Sequence, residues 1–577
     1  MCGISGFICL QNTITPAQLK EATHLMAHRG PDAEGFYFSQ DEKVGLGHRR
    51  LSILDLSANA NQPMISGDGR YVIVFNGEIY NFNELKLQLN DKGTSLKTTS
   101  DTEVILQLFA QRGVDCFREL NGMFALAIYD TKKNIVTICR DHAGIKPLFI
   151  YCNGTELVFS SELKAIRAIK KHELSINKNS IPYFLHLGYI PHPLTIYNDT
   201  DKFPAAHYMQ IDINSKNFRN VHSHFKPFWN LEACIGKEPL RNEAEAKKKL
   251  TGLLFDSVEK QLISDVPIGT FLSGGVDSSL VTAIASRVKH QKIKTFNIAI
   301  GEGRFNESKY ASQVAKYLNT EHYQFNVAEA QVIELIGSIL NVYDEPYADS
   351  SALPTRMVSR LARQYVTVTL TGDGGDELFM GYGMYAWAKR LSQAWVKPAR
   401  HGLYTASLLM NDKYKRAGNL FDYRSKANIK SHIFSQEQYF FKEKELDKLL
   451  VTEKYDFGSL NAEEKIDRIL TAEELQTLWD FNYYLPDDLL VKVDRASMFS
   501  SLEARVPLLD YRIIEFAFNL HRDLRMNDKI TKYLLKQILF GMVPKDIFER
   551  PKQGFSLPLN KWLKGELKWW LEEAGTL

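Results

Sequence analysis

Residues 267–288 read PIGTFLSGGVDSSLVTAIASRV, and this stretch decides the fold of the second half of the chain. Residues 267–272 have the apolar character of a buried strand, and residues 278–288 carry apolar side chains at helical spacing. The loop between them consists mainly of glycine and serine. Paired glycines allow the backbone to approach a ligand closely, and the N-terminus of the following helix favours an anion. The stretch therefore predicts a phosphate-binding loop, with a simple glycine turn as the alternative.

The chain on both sides of this stretch continues the same alternation. Helices are predicted at 243–262 and 309–318, and strands at 295–300 and 366–371. Strands that alternate with helices indicate a parallel sheet covered by helices. Beyond about residue 380 the pattern is mostly helical. We therefore expect an α/β parallel-sheet domain with a helical C-terminal part.

A second glycine-rich loop, TGDGGDE at 371–377, follows a predicted strand and contains three carboxylates. In a parallel sheet both loops would lie at the C-terminal ends of strands, where such folds bind ligands. The first loop lacks the Gly-Lys-Ser/Thr ending of a Walker loop, so γ-phosphate transfer is not indicated. Its Asp277 offers a carboxylate for Mg²⁺ beside phosphates. Together the loops predict one nucleotide site, with an acidic surface turn at 371–377 as the alternative.

The first 165 residues show a different pattern. Short runs of branched and aromatic residues are separated by turns, which predicts an antiparallel, sheet-rich domain. Strands are expected at 71–75, 123–129, 135–140, 148–151 and 157–160, and helices at 16–28 and 103–112. From about 170 to 245, prolines and clustered polar residues replace the periodicity, which indicates a connector. We place the domain boundary there, with units at 1–215 and 216–577.

The chain begins Met1-Cys2-Gly3. Removal of Met1 would leave a thiol and a free α-amine on Cys2. Such an amine has a pKa of about 8, so part of it is neutral near pH 7 and can act as a base for the thiol. One residue would then supply both nucleophile and base. Taken alone, however, a cysteine at position 2 is more often incidental than catalytic.

Four residues further along strengthen this hypothesis. Attack of a thiolate on an amide creates an oxyanion, for which the Asn76 side-chain amide and the Gly77 backbone N–H would provide two donors. Arg50 can bind the α-carboxylate of a free amino acid, and Asp101 can bind its α-ammonium. The alternatives are a hairpin turn at Asn76-Gly77 and solvated surface charges at Arg50 and Asp101.

Composition excludes several kinds of partner. The chain has 71 Lys and Arg against 68 Asp and Glu, a net charge of +3, which does not favour nucleic acid or a membrane surface. Its six cysteines form no CxxC pair and are too few for a disulfide framework. The N-terminus does not resemble a signal peptide, and no uncharged apolar run approaches about 18 residues. We expect a cytoplasmic enzyme that acts on small molecules.

Residues 1 to about 164 resemble the class II, N-terminal-nucleophile (Ntn) glutamine amidotransferase domain. The resemblance rests on MCGISG at 1–6, HRGPD at 28–32, GHRRLSILD at 47–55, FNGEIYN at 75–81, RDHAGIKPL at 140–148 and SSE at 160–162. It implies an α+β Ntn-hydrolase sandwich, with antiparallel sheets between helices. It also implies that Cys2 is the nucleophile and that Asn76 and Gly77 form the oxyanion hole. Glutamine binding is implied for Arg50, Asn76, Gly77, Glu78 and Asp101.

Residues from about 240 to 560 resemble the ATP pyrophosphatase domain of asparagine synthetases. Besides the two glycine loops, the resemblance rests on YADSS at 347–351, LPDD at 485–488, VDRA at 493–496, LEARVP at 502–507 and RPKQGF at 550–555. The whole chain is thus similar to glutamine-hydrolysing asparagine synthetases. One departure is Met380, which stands where relatives often have glycine. The resemblance implies that a substrate carboxylate attacks the α-phosphorus of ATP, releasing pyrophosphate, and that ammonia then displaces AMP.

The resemblance also implies roles for individual residues. ATP binding is implied for Leu272, Ser273, Gly274, Gly275, Asp277, Ser278, Ser279, Ile298, Thr371 and Gly372. Magnesium is implied at Asp277 and Asp376, and acceptor binding at Tyr382 and Asp376. Asp373 is implied in forming the acyl-adenylate, and Lys532 in stabilising charge during adenylation and amidation. An ordinary helix-surface lysine and a packed aromatic are the alternatives for Lys532 and Tyr382.

The expected substrates are glutamine, ATP with Mg²⁺, and L-aspartate, which would become L-asparagine. Another carboxylate, such as a uronic acid of a surface polysaccharide precursor, is the alternative acceptor. Two further hypotheses are a non-catalytic glutamine-binding scaffold and a ligase fed by free ammonia. The first is disfavoured because the site residues are all present, and the second because Cys2 is intact. An apolar tunnel for ammonia and a homodimer are expected by resemblance.

Overall fold

The computed structural model describes residues 2–91, 93–171, 173–215, 217–218, 221–289, 291–300, 308–339, 341–450, 455–461, 466–527, 530–549, 559–565 and 567–574. The RPKQGF motif at 550–555 lies outside the described residues. Among the helices described, none is long and apolar enough to cross a membrane.

The first unit is built from antiparallel strands and a few helices. Its strands are β1 Gly3–Cys9, β2 Ala33–Phe38, β3 Val44–Arg50, β4 Met64–Ile65, β5 Tyr71–Ile79, β6 Gly122–Asp130, β7 Ile135–Arg140, β8 Phe149–Cys152, β9 Glu156–Ser160, β10 Thr200–Lys202, β11 His207–Asp212 and β12 Lys226–Pro227. The helices up to residue 234 are α1 Pro16–His24, α2 Phe82–Asp91, α3 Asp101–Arg112, α4 Leu163–Ile169, α5 Ile181–Leu187 and α6 Leu231–Cys234.

These strands form two sheets that pack face to face. Their orders are β10-β8-β9-β1-β3-β2 and β12-β11-β7-β6-β5-β4. Apolar side chains such as Ile4, Val74 and Ile138 fill the space between the sheets. On the outer faces, α1 and α4 cover the first sheet and α2 and α3 cover the second. The predicted sandwich of antiparallel sheets between helices is confirmed.

The second unit is built around a parallel sheet. Its strands are β13 Ile268–Phe271, β14 Lys294–Ile300, β15 Glu321–Val327, β16 Val368–Leu370 and β17 Glu503–Arg505. Its helices are α7 Glu243–Gln261, α8 Val276–Val288, α9 Ser308–Tyr317, α10 Glu329–Ile339, α11 Ala352–Ala362, α12 Gly375–Leu378, α13 Gly383–Leu391, α14 Val396–Leu408, α15 Asp412–Asn419, α16 Ile429–Glu437, α17 Glu443–Leu449, α18 Ala472–Trp479, a π-helix Asp480–Leu489, α19 Leu490–Met498, α20 Tyr511–Phe518, α21 Arg522–Arg525, α22 Tyr533–Leu539, α23 Leu559–Lys564 and α24 Lys568–Ala574.

The sheet order is β15-β14-β13-β16-β17, and every neighbouring pair is parallel. The predicted α/β fold with a helical C-terminal part is therefore confirmed. Strands β13 and β16 are direct neighbours, so the loops that follow them leave the sheet at the same edge. This adjacency positions the second site.

The predicted connector at 170–245 contains more regular structure than its sequence pattern indicates. Strand β10 forms an edge of the first sheet, and β11 and β12 extend the second sheet beyond β7, with β12 at its edge. Helix α5 instead packs into the second unit, where Tyr183 and Leu187 contact a cluster that contains Phe434 and Phe457. Strands β10 and β12 have only three and two residues, too few to show the alternation by which strands are predicted from sequence.

Buried ion pairs join the two units. Helix α1 ends at His24, earlier than predicted, and the turn that follows directs Arg29 into the junction. The Arg29 guanidinium donates to both carboxylate oxygens of Asp494, at 2.8 and 3.0 Å, and to Glu162 at 3.0 Å. Burial opposes the charge on Arg29, but Asp494 and Glu162 outweigh this effect and raise its pKa. The pair is therefore fully charged although water does not reach it.

Replacing Arg29 with Met is expected to lower the free energy of unfolding by about 3–5 kcal/mol, because Asp494 loses its buried counter-charge. The drop would be measured as a lower calorimetric melting temperature. The double variant Arg29→Met/Asp494→Leu should recover part of the loss, since Glu162 keeps Arg495 and Lys164 as partners, whereas buried Lys146 loses its contact with Asp494. Lys171→Met, which removes an exposed ion pair with Glu21, is the control and should change stability by less than about 1 kcal/mol. Equal losses in the single and double variants would contradict this account.

Candidate functional site

Cys2 directly precedes β1, and its side chain is buried. Its backbone N–H donates to Oδ1 of Asn76 at 2.9 Å, and its carbonyl accepts from Nε of Arg29 at 3.0 Å. Burial raises the pKa of the Cys2 thiol, although the charge of nearby Arg50 lowers it. The resting thiol is therefore protonated at neutral pH and needs a base when it reacts.

Asn76 and Gly77 lie inside β5, where both pair with β6. They do not form a hairpin turn, so that alternative is wrong. A Cβ on Gly77 would lie 2.1 Å from the carbonyl oxygen of Met123, so the close approach of β6 requires glycine here. In the described part of the chain, the buried Nδ2 of Asn76 has no hydrogen-bond partner. The amide that holds Cys2 thus keeps a donor in reserve, as stabilisation of an oxyanion requires.

Arg50 and Asp101 are both buried, so the alternative of solvated surface charges is wrong. The Arg50 guanidinium donates to the Ser57 carbonyl at 2.8 Å and to Oδ1 of Asn61 at 2.7 Å. It also donates to the carbonyls of residues 54 and 55. A substrate carboxylate would have to replace some of these contacts or bind at Nε.

Asp101 and Glu78 form an acidic part of the same site. Asp101 is the first residue of α3, and its carboxylate accepts from the N–H of Ile79 at 2.9 Å. Burial raises the pKa of Asp101 to about 6, against the backbone hydrogen bonds that lower it. Burial, together with the charges of Glu503 and Asp101, raises the pKa of Glu78 well above its usual value. Two buried carboxylates that gain stability from a nearby cation suit an α-ammonium group.

The second group of predicted residues lines one cavity of about 710 Å³. Its lining includes Leu272, Ser273, Gly274, Gly275, Asp277, Ser278, Ile298, Thr371, Gly372, Asp373, Asp376, Tyr382 and Lys532. Ser279 does not line it and is buried within α8. The structure therefore brings together every predicted residue of this site except Ser279.

The two glycine-rich loops touch each other in this cavity. A Cβ on Gly372 would lie 2.6 Å from the backbone nitrogen of Ser278, so the loops could not approach this closely with a larger residue. Within the first loop, the hydroxyls of Ser273 and Ser278 are 2.9 Å apart, and the N–H of Gly275 donates to Ser273 at 3.2 Å. The loop is thus held in shape at the N-terminus of α8, where an anion is favoured.

Lys532 connects the two loops. It is buried, so the surface-lysine alternative is wrong. Its ammonium binds Asp277 and also Asp376, the latter at 2.7 Å. Burial opposes this charge, but Asp277 and Asp376 outweigh it and raise the pKa of Lys532. A permanent positive charge thus lies between the two carboxylates, beside the first glycine-rich loop.

Beyond Lys532 the cavity is lined by aromatic and acidic side chains. The Tyr382 hydroxyl donates to Glu377 at 2.5 Å, so this tyrosine is more than a packed aromatic. Burial and then the charge of Asp376 raise the pKa of Glu377 to about 7. Lys492 forms an ion pair with Asp349 at 3.1 Å. Three more aromatic side chains, Phe434, Phe440 and Tyr484, complete this part of the wall.

Several charged residues at the two sites were not singled out from the sequence. They are Arg29, Asp349, Lys492, Glu503 and Arg505, and all lie in or beside motifs that were recognised as strings. The sequence feature that could have identified them is a charged residue within an otherwise apolar stretch, as in LEARVP at 502–507. Their partners are distant in sequence, so only the fold identifies their contacts. Met380, which stands where relatives often have glycine, has a φ of 55°, in the left-handed region that glycine adopts easily.

Comparison with known proteins assigns both halves of the chain. Residues 1–226 match the family model of the glutamine amidotransferase domain, and residues 249–576 match that of asparagine synthase. A putative asparagine synthetase [glutamine-hydrolyzing] 2 of Methanocaldococcus jannaschii is 36% identical over 524 residues, which is 86% of this chain and 98% of that protein. Asparagine synthetase [glutamine-hydrolyzing] 1 of Bacillus subtilis is 30% identical, with 99% of this chain and 89% of that protein covered.

A solved structure described as the allosteric regulatory enzyme of purine biosynthesis aligns with 57% of this chain and 80% of its own, with 15% identity and a TM-score of 0.32.

Replacing Gly77 with Ala is expected to destabilise the protein by about 1–3 kcal/mol, because the new Cβ would force β5 away from β6. Gly252→Ala is the matched control. Gly252 lies in α7 with open space around its missing Cβ, so alanine there should stabilise the helix by about 0.5–1 kcal/mol. Calorimetric melting temperatures should therefore move in opposite directions. A Gly77→Ala protein as stable as the parent would contradict this prediction, because it would show that β6 can move away from β5 without a loss of stability.

Proposed function

Because the chain belongs to the asparagine synthase family, we propose that it hydrolyses glutamine at Cys2 and uses the ammonia, with ATP, to convert L-aspartate into L-asparagine. The chain is a glutamine-dependent amidotransferase with an ATP-dependent synthetase domain. One observation carries the proposal furthest: two glycine-rich loops and Lys532 meet in a single cavity, while a second site contains Cys2.

Glutamine hydrolysis would begin at the Cys2 thiol. With Met1 removed, the α-amine of Cys2 takes the thiol proton, and the sulfur attacks the side-chain amide of glutamine. Nδ2 of Asn76 and the N–H of Gly77 stabilise the oxyanion, while Glu78 and Asp101 hold the α-ammonium. Ammonia leaves, and water then releases glutamate from the thioester. The buried position of Cys2 supports this order, because the nucleophile is charged only during attack.

Amidation would take place in the cavity. The acceptor carboxylate attacks the α-phosphorus of ATP, and pyrophosphate leaves from the loop at 273–279. Ammonia then attacks the acyl carbon of the adenylate and displaces AMP. Lys532 stabilises the negative charge that builds up in both steps, which its fixed positive charge supports. Asp373, on the second loop, lines the same cavity and would contact the acyl-adenylate.

Magnesium fits this site as a partner of ATP. Asp277 and Asp376 are close enough to share Lys532, and one or two carboxylates together with nucleotide phosphates are a common ligand set for Mg²⁺. In the described residues, no group of three or more His, Cys, Asp or Glu side chains could hold a metal by itself. The phosphates would therefore supply the remaining ligands. When bound, the ion would neutralise charge on the departing pyrophosphate.

The junction of the units supports direct transfer of ammonia. One hydrophobic cluster contains Leu51, Met123 and Ile145 of the first unit together with Leu370 and Val506 of the second. Leu51 follows Arg50 in the chain, and Met123 lies against Gly77. Apolar surroundings favour neutral ammonia over ammonium, which is not a nucleophile. The proposed path therefore runs through this cluster.

Cys2→Ala is expected to abolish glutamine-dependent pyrophosphate release while leaving release with ammonium chloride within about twofold of the parent, because only the source of ammonia is lost. Cys9→Ala is the matched control, since Cys9 is a buried cysteine of β1 with no proposed role in catalysis. It should retain activity with both nitrogen donors. Continued use of glutamine by Cys2→Ala would refute the assignment of Cys2.

A second acceptor class is favoured by the far wall of the cavity. Aspartate needs a cation for its α-carboxylate, but Lys492 and Lys532 are already paired with carboxylates, and the described part of the lining contains no arginine. Lys536 is the third lysine of the described lining. The aromatic side chains Phe434, Phe440 and Tyr484 offer flat surfaces on which a sugar ring could stack. The second candidate is therefore a uronic acid or a similar sugar carboxylate.

The acceptor is identified by pyrophosphate release with ATP, Mg²⁺ and glutamine over a panel of carboxylic acids. We expect L-aspartate to raise the rate at least about tenfold above the acceptor-free background, with an equal amount of L-asparagine formed. D-aspartate and L-glutamate are controls for stereochemistry and length. A response to uronic acids alone would establish the second candidate, and no response to any acid would refute both.

A further inference from the structure

Strand β17 belongs to the parallel sheet of the second unit, yet two of its side chains face the first site. Glu503 and Arg505 are both completely buried. Their strand pairs with β16, and the carbonyl of Arg505 accepts from the N–H of Thr371 at 2.8 Å. Thr371 is the first residue of the second glycine-rich loop. A single short strand therefore contacts both sites, through its backbone on one side and its side chains on the other.

The side chain of Arg505 is held rigidly by its own unit. Its Nη1 donates to the carbonyls of Gln261 and Ile263, both at 2.7 Å, and its Nε donates to Glu503 at 2.6 Å. The remaining nitrogen, Nη2, lies 3.6 Å from a carboxylate oxygen of Glu78. The second unit thus presents a fixed guanidinium to a carboxylate that is proposed to bind glutamine.

The guanidinium carbon also lies 5.7 Å from the ring centroid of Tyr80, two residues beyond Glu78. Arg505 therefore contacts the end of the FNGEIYN motif at two points. These contacts place it against the same strand, β5, that carries Asn76 and Gly77.

Buried groups of both charge signs meet beside Glu78. Glu78, Asp101 and Glu503 are three buried acids, and Arg505 is the cation paired with two of them. Lys146, on the first unit, lowers the pKa of Glu503, and Arg50 lies on the side of Cys2. A change in any of these charges therefore changes how readily Glu78 and Asp101 ionise.

Glu503 and Arg505 act on the two glutamine-binding carboxylates in opposite directions. The negative charge of Glu503 raises the pKa of Glu78 and of Asp101, and the positive charge of Arg505 lowers both. For both acids burial is the largest influence, and it raises the pKa. An ammonium ion is held by carboxylates and not by carboxylic acids. A neighbour that favours the ionised form of Glu78 or Asp101 therefore also strengthens glutamine binding.

We propose that Glu503 and Arg505, although part of the synthetase unit, are positioning residues of the glutaminase site that set the charge on Glu78 and Asp101 and so determine glutamine affinity. This inference rests on the proposed function, because it requires that glutamine binds there. It goes beyond that function in assigning part of the first site to the second unit. The carbonyl of Arg505 accepts a hydrogen bond from Thr371 of the second glycine-rich loop. A shift of β17 that follows a movement of this loop would therefore change the distance between Arg505 and Glu78.

The test is glutamine binding as a function of pH in full-length protein that carries Cys2→Ala, measured by isothermal titration calorimetry. The Cys2 replacement prevents turnover and removes the titration of the thiol. In this parent, affinity should fall as the pH drops through about 6, the pKa of Asp101, because the carboxylates become protonated. Arg505→Gln should move the midpoint of this loss to higher pH by about one unit, and Glu503→Gln should move it to lower pH.

Arg525→Gln is the matched control. Arg525 is also a completely buried arginine of the second unit, but it donates to the carbonyl of Leu378 and stacks on Phe518, away from the first site. Its replacement should leave the midpoint where it is, although it costs stability. Arg505→Lys, which keeps the positive charge, should restore the parent midpoint. Circular dichroism of each variant would show that it is folded.

Opposite shifts support the proposal, since a merely structural role for β17 would move both midpoints in the same direction or neither. Unmoved midpoints, or shifts of the same sign, would overturn it. If Arg505→Gln does not fold, the downward shift in Glu503→Gln decides the matter alone. A parent that binds no glutamine at any pH would instead refute the proposed function, so the two failures are distinguishable.

Discussion

Charges buried at the junction between the two units need partners there, because water cannot solvate them. Many of these partners come from the opposite unit. Arg29 is paired with Asp494, and Lys202 lies 2.8 Å from Glu345. An apolar interface could tolerate small sliding movements, but an unpaired buried charge costs several kcal/mol. The relative position of the two units is therefore determined by charge pairing as much as by apolar packing.

The same requirement shapes the cavity of the second unit. Adjacency of β13 and β16 brings two loops with carboxylates to one edge of the sheet, where their negative charges repel each other and any phosphate. Lys532, the residue directly before α22, compensates for this repulsion by binding one carboxylate from each loop. The sheet topology thus creates the need for a cation, and a helix far along the sequence supplies it. Without that lysine the loops would face each other with like charges.

Regular elements with strong patterns could be predicted from the sequence, and contacts between distant charges could not. Strand β7 has the predicted bounds of 135–140, and the first glycine-rich loop lies between β13 and α8 as expected. Strand β17 was not predicted because it is short and its first and last residues are charged, a pattern that usually indicates an exposed turn. Glu503 and Arg505 are buried because each neutralises the other, and sequence patterns treat residues singly.

The LPDD motif shows how far such partners change chemistry. Both aspartates lie in the π-helix and are buried, yet they face different surroundings. Asp487 accepts a hydrogen bond from the backbone N–H of His192, and its carboxylate lies 2.7 Å from Nδ1 of the same residue. Burial opposes the charge on Asp487, but His192 and Lys202 outweigh this effect and lower its pKa. Asp488 lines the cavity, where burial and the charge of Asp349 raise its pKa to about 8. Two identical neighbours thus differ in charge at neutral pH: Asp487 ties the segment that carries β10 to the second unit, and Asp488 gives the cavity a neutral acid. Sequence shows two equal residues, and only the partners brought by the fold make them different.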